Sequence, residues 1–279
     1  MQIWISGAAG KLGSDLMQTL SAHEIIGTDL AEVDIADFAA VQAFINEHRP
    51  DMVLNASAWT DVDGCAQEPE KAIRINGYGA QNLAVAAYEV GAAMVQISSN
   101  EVFDGTSSRS YYEYDRPNPA NPYGYSKFVG EQSVRETNPR HYIVRTSWLF
   151  ASGGRNFLHA ILGAAKEGKN LRVVVDEIAN PTYNTDLAQA IAQLVQTERY
   201  GTYHLVNEGA VSRWGFARYA LDKAGYAQVP LGKITRHEWP RPSTPPPYTS
   251  LANLAAASIG IRLRPWQEAV DAFLQEADL

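Results

Sequence analysis

Residues 2–13 read QIWISGAAGKLG and run into DLMQTLSAH at 15–23. Gln2 to Ser6 is a short apolar strand, Gly7, Gly10 and Gly13 form a turn, and the segment beyond is helix-like. Strand, glycine turn and helix in that order make a phosphate cradle. Glycine lets the backbone turn tightly and approach a pyrophosphate, while the first turn of a helix offers unpaired N–H groups and a partial positive charge. The spacing is G-x-x-G-x-x-G rather than G-x-G-x-x-G, and alone it also fits a helix cap with incidental glycines. The sequel favours the cradle. Glu24 to Thr28 reads as a second strand with Asp29 at its end, about 20 residues past the glycine turn, where a carboxylate can hydrogen-bond both hydroxyls of an adenosine ribose. The other reading of Asp29 is a solvated turn residue. A carboxylate there would repel a 2′-phosphate, and no Arg or Lys lies between His23 and Arg49, so NADH is favoured over NADPH.

The alternation continues outward. Asp37 caps a helix through about Glu47 that Pro50 closes, and Met52 to Ala56 is a buried strand ending in NASAWT at 55–60. A longer helix spans roughly Pro69 to Glu89 with Gly91 as its stop. Asn76 lies inside it, either bonding a water or backbone carbonyl near the site or facing solvent. Ala93 to Ser98 is a fourth strand whose end carries Ser99, Asn100 and Glu101; a polar loop to Asn121, a helix and the strand His141 to Thr146 follow. This is the pattern of an α/β fold with a doubly wound parallel sheet, and residues 1–150 are expected to form the Rossmann-like dinucleotide-binding domain. Residues 151–279 are more mixed: helices near 156–167, 213–224 and 266–275, one ending near Thr197, and strands at 171–175 and 202–207. They are expected to form a smaller, mixed α/β substrate-binding lobe, with some segments returning to the first domain.

The chemistry concentrates in NPYGYSKFVGE, Asn121 to Glu131. Pro122 suits a helix start, and the four-residue spacing puts Tyr123 and Lys127 on one face. An ammonium beside a phenol favours phenolate and draws the Tyr pKa down from about 10, which suits protonation of a carbonyl oxygen as hydride arrives. Taken alone, Y-x-x-x-K also arises by chance on any helix. Ser99, at a strand end opening on the same crevice, can hydrogen-bond that carbonyl.

Composition narrows the classes. The chain has 279 residues, a net charge of -8 and a single cysteine, Cys65, which excludes an internal disulfide and a thiolate metal cluster. No Lys/Arg cluster supports nucleic-acid binding. No apolar run approaches the roughly 20 residues that span a bilayer, and the first residues lack a signal peptide's basic segment, so a cytoplasmic protein, monomeric or homodimeric, is expected. No His and carboxylate cluster has metal-ligand spacing.

Taken together, these motifs resemble the extended short-chain dehydrogenase/reductases, and most closely the dTDP-4-dehydrorhamnose reductase family. The resemblance covers nearly the whole chain: GxxGxLG at 7–13, NASAWTDVD at 55–63, ISSNEVFDG at 97–105, PYGYSKFVGE at 122–131, VRTSWLF at 144–150, RNF at 155–157, NPTYNTDLA at 180–188, GTYHLVNEG at 201–209, and Arg241-Pro242. It implies NAD(P)H-dependent reduction of a nucleotide-linked 4-keto-6-deoxyhexose, with Gly10, Lys11 and Leu12 on the pyrophosphate and Asp29 on the ribose. Asp34, Ile35, Ala58, Trp59, Thr60 and Ile97 would lie along the cofactor. Tyr123 would be the proton donor, Lys127 would hold the nicotinamide ribose, and Ser99, Asn100, Trp148 and Asn156 would face the sugar. Arg241 is a candidate clamp for the substrate pyrophosphate, or a solvated Arg in a proline-rich loop.

The chain departs from the family pattern at Ser98-Ser99-Asn100-Glu101, where STDY is usual, and at Glu177 and Ala179, which replace Gln and Gly. These departures bear on which sugar is bound. Two other readings stay open: a non-catalytic dinucleotide-binding regulatory subunit, and an epimerase or dehydratase that recycles its cofactor.

Overall fold

The computed structural model describes residues 1–153 and 156–276; Arg155 of the RNF motif lies outside them. A six-stranded sheet forms the centre, in the spatial order β2 (Glu24–Thr28), β1 (Gln2–Ser6), β3 (Met52–Asn55), β4 (Ala93–Ser99), β5 (His141–Thr146) and β10 (Gly201–His204). All five pairings are parallel. Parallel strands need crossovers and covered faces, and the strands accordingly read as apolar runs: QIWIS, MVLN and AMVQISS are almost wholly buried.

Alternate strand residues feed two cores. Ile3, Ile5, Leu54, Val95, Ile97 and Val144 pack with Leu12 and Leu16 of α1 (Lys11–Thr19) and with Leu187 and Ile191 of α8 (Asn184–Leu194). Trp4, Val53 and Met94 face the other way, against Val41 and Ile45 of α2 (Phe38–His48), Leu83 and Ala87 of α5 (Gly79–Glu89) and Val134 of α6 (Pro122–Thr137). The sheet takes back α8 and β10 from the second half of the chain.

The helical stretch after β3 differs from the single long helix expected. After α3 (Val62–Gln67) come α4 (Pro69–Ala72), a π turn over Ile73–Tyr78, and then α5. A π turn inserts one residue into the helical repeat and is common at functional sites. Here it leaves Asn76 2% exposed, donating to Trp59 O at 3.0 Å and to Ser126 Oγ at 2.9 Å and accepting from Trp59 N at 2.8 Å. The interior partner, not solvent, decides its place.

The remaining elements form a second cluster. The short strands β6 (Leu149–Phe150), β7 (Leu171–Val174), β8 (Ile178–Ala179), β9 (Thr182–Tyr183), β11 (Val211–Ser212) and β12 (Leu231–Ile234) pair two by two. Beside them stand α7 (Phe157–Lys166), α9 (Arg213–Lys223) and α11 (Trp266–Glu276), whereas α10 (Leu254–Ser258) packs through Ala256 on the core of the six-stranded sheet. Phe150, Phe216, Trp266 and Phe273 are central to that core. Among the described residues no helix is long and apolar enough to cross a membrane, and no group of His, Cys, Asp and Glu could hold a metal ion.

Candidate active site

A cleft of about 560 Å³ opens at the C-terminal ends of β1, β3, β4 and β5, where an open parallel sheet places its ligands. Its near wall is the glycine turn. Gly10, Lys11, Leu12 and Gly13 line it; a Cβ on Gly13 would stand 2.0 Å from Gly7 O, so the turn closes only with glycine there. Asp29 braces this turn from outside, its Oδ2 accepting from Ala9 N at 2.8 Å.

At the far wall stands α6. Asn121 caps it, Oδ1 accepting from Gly124 N at 2.8 Å, with Pro122 in the first turn. A Cβ on Gly124 would lie 2.0 Å from Glu101 O, so α6 rests directly on the end of β4. That contact brings Tyr123 and Lys127 to Ser99 and Asn100, and all four line the cleft. Glu131, one turn beyond Lys127, is gripped by Arg145 of β5 through bonds of 2.9 and 2.7 Å and accepts from Ser98 Oγ at 2.6 Å.

The electrostatics differ from the sequence expectation. Burial pushes the Tyr123 hydroxyl up, and the nearby Glu101 carboxylate raises it further; only a hydrogen bond with Ser99 works the other way. Lys127 is lowered to about 8, chiefly by burial. Desolvation therefore outweighs the cationic pull of Lys127 on Tyr123 that the spacing suggested. The protonated phenol, which is the form that donates, is the stable one.

The cleft lining also includes Trp148, Asn156, Phe157, Glu101 and Arg213. Trp148 has φ 42, an uncommon backbone for a bulky residue, and the Arg213 guanidinium lies 3.7 Å from its ring centroid. Asn156 caps α7 through Leu158 N and His159 N and donates to Ala151 O at 2.7 Å.

Of the other expected site residues, Ala58, Thr60 and Ile97 line the cleft, whereas Gly7, Asp29, Asp34, Ile35, Trp59 and Arg241 do not. Asp34 turns its Oδ1 to Ala36 N at 2.9 Å, Ile35 is buried, and Lys71 covers the Trp59 ring at 4.4 Å. Arg241 Nε donates to Asp63 Oδ1 at 2.9 Å, and Ser243 N donates to the same oxygen at 3.0 Å. A local carboxylate already holds that guanidinium.

Three further side chains were missed. Among the described residues Thr146 Oγ1, Ser147 Oγ and both amide atoms of Asn184 are buried without a partner, and all three residues line the cleft. Buried polar groups left unpaired are costly. A dinucleotide, with its ribose hydroxyls and carboxamide, offers the donors and acceptors they lack, so these residues fit such a cofactor. All three fall inside motifs the sequence already shows, Thr146 and Ser147 in VRTSWLF and Asn184 in NPTYNTDLA.

A doubly wound sheet with a glycine turn on one wall of its cleft and Ser99, Tyr123 and Lys127 on the other defines an extended short-chain dehydrogenase/reductase, an oxidoreductase that uses a nicotinamide dinucleotide. Residues 1–279 match the family model described as RmlD substrate binding domain, and the chain belongs to that family. It is 37% identical over 277 residues to the spore coat polysaccharide biosynthesis protein SpsK of Bacillus subtilis, covering 99% of this chain and 97% of that protein. It is 34% identical over 284 residues to the dTDP-4-dehydrorhamnose reductase of Aggregatibacter actinomycetemcomitans, covering 96% and 97%. The solved dTDP-4-dehydrorhamnose reductase of Bacillus anthracis in complex with NADP superimposes with a TM-score of 0.96 at 35% identity, covering 99% of each chain.

Proposed function

We propose that the protein reduces the C4 ketone of a nucleotide-linked 4-keto-6-deoxyhexose, dTDP-4-dehydro-L-rhamnose, to give dTDP-L-rhamnose. The observation that supports this reading is a cleft that brings Ser99, Tyr123 and Lys127 together opposite the glycine turn. When bound, the dinucleotide supplies hydride to C4. Tyr123 gives its proton to the oxygen as negative charge develops there, and Ser99 hydrogen-bonds the same oxygen and holds the carbonyl plane. Lys127 orients the cofactor ribose and, as a cation, favours charge on the phenol oxygen once the proton has gone. Trp148, Asn100 and Asn156 form the sugar wall, and the cluster around α7, α9 and α11 is assigned to the substrate lobe. Arg241, through Asp63, ties the proline-rich loop down beside that wall.

NADH is favoured over NADPH because Asp29 sits at the end of β2 against the glycine turn, where its charge opposes a 2′-phosphate. The NADP complex of the Bacillus anthracis relative makes this a matter of degree.

The test is the loss of reduced-nicotinamide absorbance with purified protein, NADH or NADPH, and dTDP-4-keto-6-deoxy-L-hexose. Rapid protein-dependent oxidation supports the reading. Cofactor binding without oxidation points to a regulatory role, and a changed sugar without net oxidation points to an epimerase.

A further inference from the structure

Two departures from the family pattern, Glu101 and Glu177, are far apart in sequence and meet around one guanidinium. Arg213 Nε lies 3.5 Å from Glu177 Oε2, and the backbone N of Arg213 donates to Glu177 O at 3.1 Å. Glu177 is 7% exposed, while the Arg213 side chain keeps 27% exposure, so the pairing is partly shielded from water. Burial pushes the Glu101 carboxyl up from its ordinary range, and the Asn121 hydrogen bond and the charges of Arg213 and Arg241 work against that; Glu101 and Arg213 both line the cleft.

Glu101 is fixed with respect to the reacting groups. Its N–H donates to Ser99 Oγ at 3.1 Å, and its Oε2 accepts at 2.6 Å from Asn121 Nδ2, two residues before Tyr123. Among the described residues the one side-chain hydrogen bond to this carboxylate is on Oε2, and Glu101 lines the cleft. Glu101 therefore offers an acceptor in the cleft at a point one hydrogen bond from Ser99.

In a 4-keto-6-deoxyhexose the carbons flanking the ketone are C3, which bears a hydroxyl, and C5, which bears only the methyl group and the ring oxygen. We propose that Glu101 reads the C3 hydroxyl, accepting its hydrogen bond on Oε1, and that Arg213, anchored by Glu177 and stacked on Trp148, is the positioning residue that keeps this carboxylate ionised and the Trp148 wall in place. The inference rests on the ketoreductase reading for its substrate class. Its consequence is selection against sugars deoxygenated at C3. A carboxylate that accepts a hydroxyl proton and cannot donate distinguishes donor from no donor, and a hydrogen bond to a charged group corresponds to about 10- to 100-fold in affinity.

The experiment is calorimetric titration of the NAD+-saturated protein with dTDP-6-deoxyhexose and with its 3-deoxy analogue, alongside turnover of the matching 4-keto sugars. The wild type should bind the 3-hydroxy ligand about 10- to 100-fold more tightly, and E101Q should reduce that ratio to below about 5-fold, with Glu101→Asp retaining part of it. An unchanged Kd for NAD+ reports that each variant is folded. R213Q tests positioning through pH. The charged groups facing Glu101 are Arg213, Arg241 and Glu177, with Tyr123 and Cys65 also within its field. Loss of the Arg213 charge raises the Glu101 pKa, so discrimination should fail at a higher pH in R213Q than in the wild type. A loss in E101Q that is equal for the two ligands, or a ratio unchanged from wild type, would overturn the proposal. Discrimination that persists in binding while neither ketone is reduced would support it and sink the ketoreductase reading instead.

Discussion

Arg145 of β5 grips Glu131 of α6 through paired hydrogen bonds of 2.9 and 2.7 Å, with both side chains at most 1% exposed. The pair lies one turn from Lys127, and the Ser98 hydroxyl of β4 joins it. Three elements are thus fixed to one another directly beneath Tyr123 and Lys127. Removing one member of a buried ion pair strands the other charge and costs about 3–5 kcal/mol, whereas replacing both by apolar groups is often neutral. Arg145→Met should therefore lower unfolding stability by about 3–5 kcal/mol in denaturant titration, and Arg145→Met combined with Glu131→Leu should recover much of it. If Arg145→Met unfolds like the wild type, the pair does not hold α6.

Tyr123→Phe keeps the ring and removes the proton. Its kcat should fall by about 10²-fold or more, the range for losing a general acid, while the Kd for NADH measured by fluorescence stays within about 2-fold. An unchanged kcat would take Tyr123 out of the reaction.

The pH profile should have its alkaline limb set by Lys127. Burial lowers that ammonium to about 8, while the same burial pushes Tyr123 upward, so Lys127 loses its charge first as pH rises. Because kcat/KM reports groups of the free enzyme, it should decline above about pH 8, and Lys127→Met should have lower activity without that limb. The stability sign is opposite. A Lys bound less tightly by protons in the folded state than in the unfolded chain makes folding more favourable as pH rises from about 8 towards 10.5. Activity and this contribution to stability should therefore move in opposite directions across that window.

Asn76 couples two walls of the cleft, taking both backbone groups of Trp59 and the hydroxyl of Ser126, which in turn donates to Tyr123 O at 2.7 Å. Asn76→Ala removes the partner of the half-buried Trp59 N–H and one of the two donors to Trp59 O, which costs about 1–3 kcal/mol. The midpoint of chemical unfolding should drop accordingly, and kcat/KM should fall while the intrinsic activity of Tyr123 is preserved at saturating substrate. Wild-type stability in the variant would show that water replaces the amide at no cost.

Local sequence signals carried much of this architecture. Asn121 and Pro122 mark the start of α6 because capping and proline geometry act within one turn, and Asp37 announces α2 in the same way. The apolar strands declare themselves because burial on both faces leaves little room for polar residues. What escaped is non-local. The π turn at Ile73–Tyr78 has no signature apart from its partners, which lie in the loop after β3 and in α6. Arg213 reads as an ordinary solvated residue at a helix start until Trp148 and Glu177 are brought to it by other elements. Strand β12 is four residues long and half exposed, and it exists only because β7 offers it an edge. The same limit applied to Arg241, whose counter-ion Asp63 belongs to a distant helix.

Asp29 offers the last test, because substitution separates its observed contact with the glycine turn from the cofactor choice proposed for it. Its Oδ2 holds Ala9 N in the glycine turn, and its charge opposes a 2′-phosphate at the proposed ribose site. Asp29→Asn keeps an oxygen for Ala9 N and removes the charge; Asp29→Ala removes both. In the wild type, kcat/KM should be clearly higher with NADH than with NADPH. The Asn variant should narrow that ratio by about 10-fold, chiefly by improving NADPH, on the scale of a hydrogen bond to a charged group. The Ala variant should narrow the ratio as well but lose affinity for both cofactors, because the turn that cradles the pyrophosphate is no longer braced. Equal use of the two cofactors by the wild type would remove Asp29 from cofactor choice and leave it a purely structural clamp on the glycine turn.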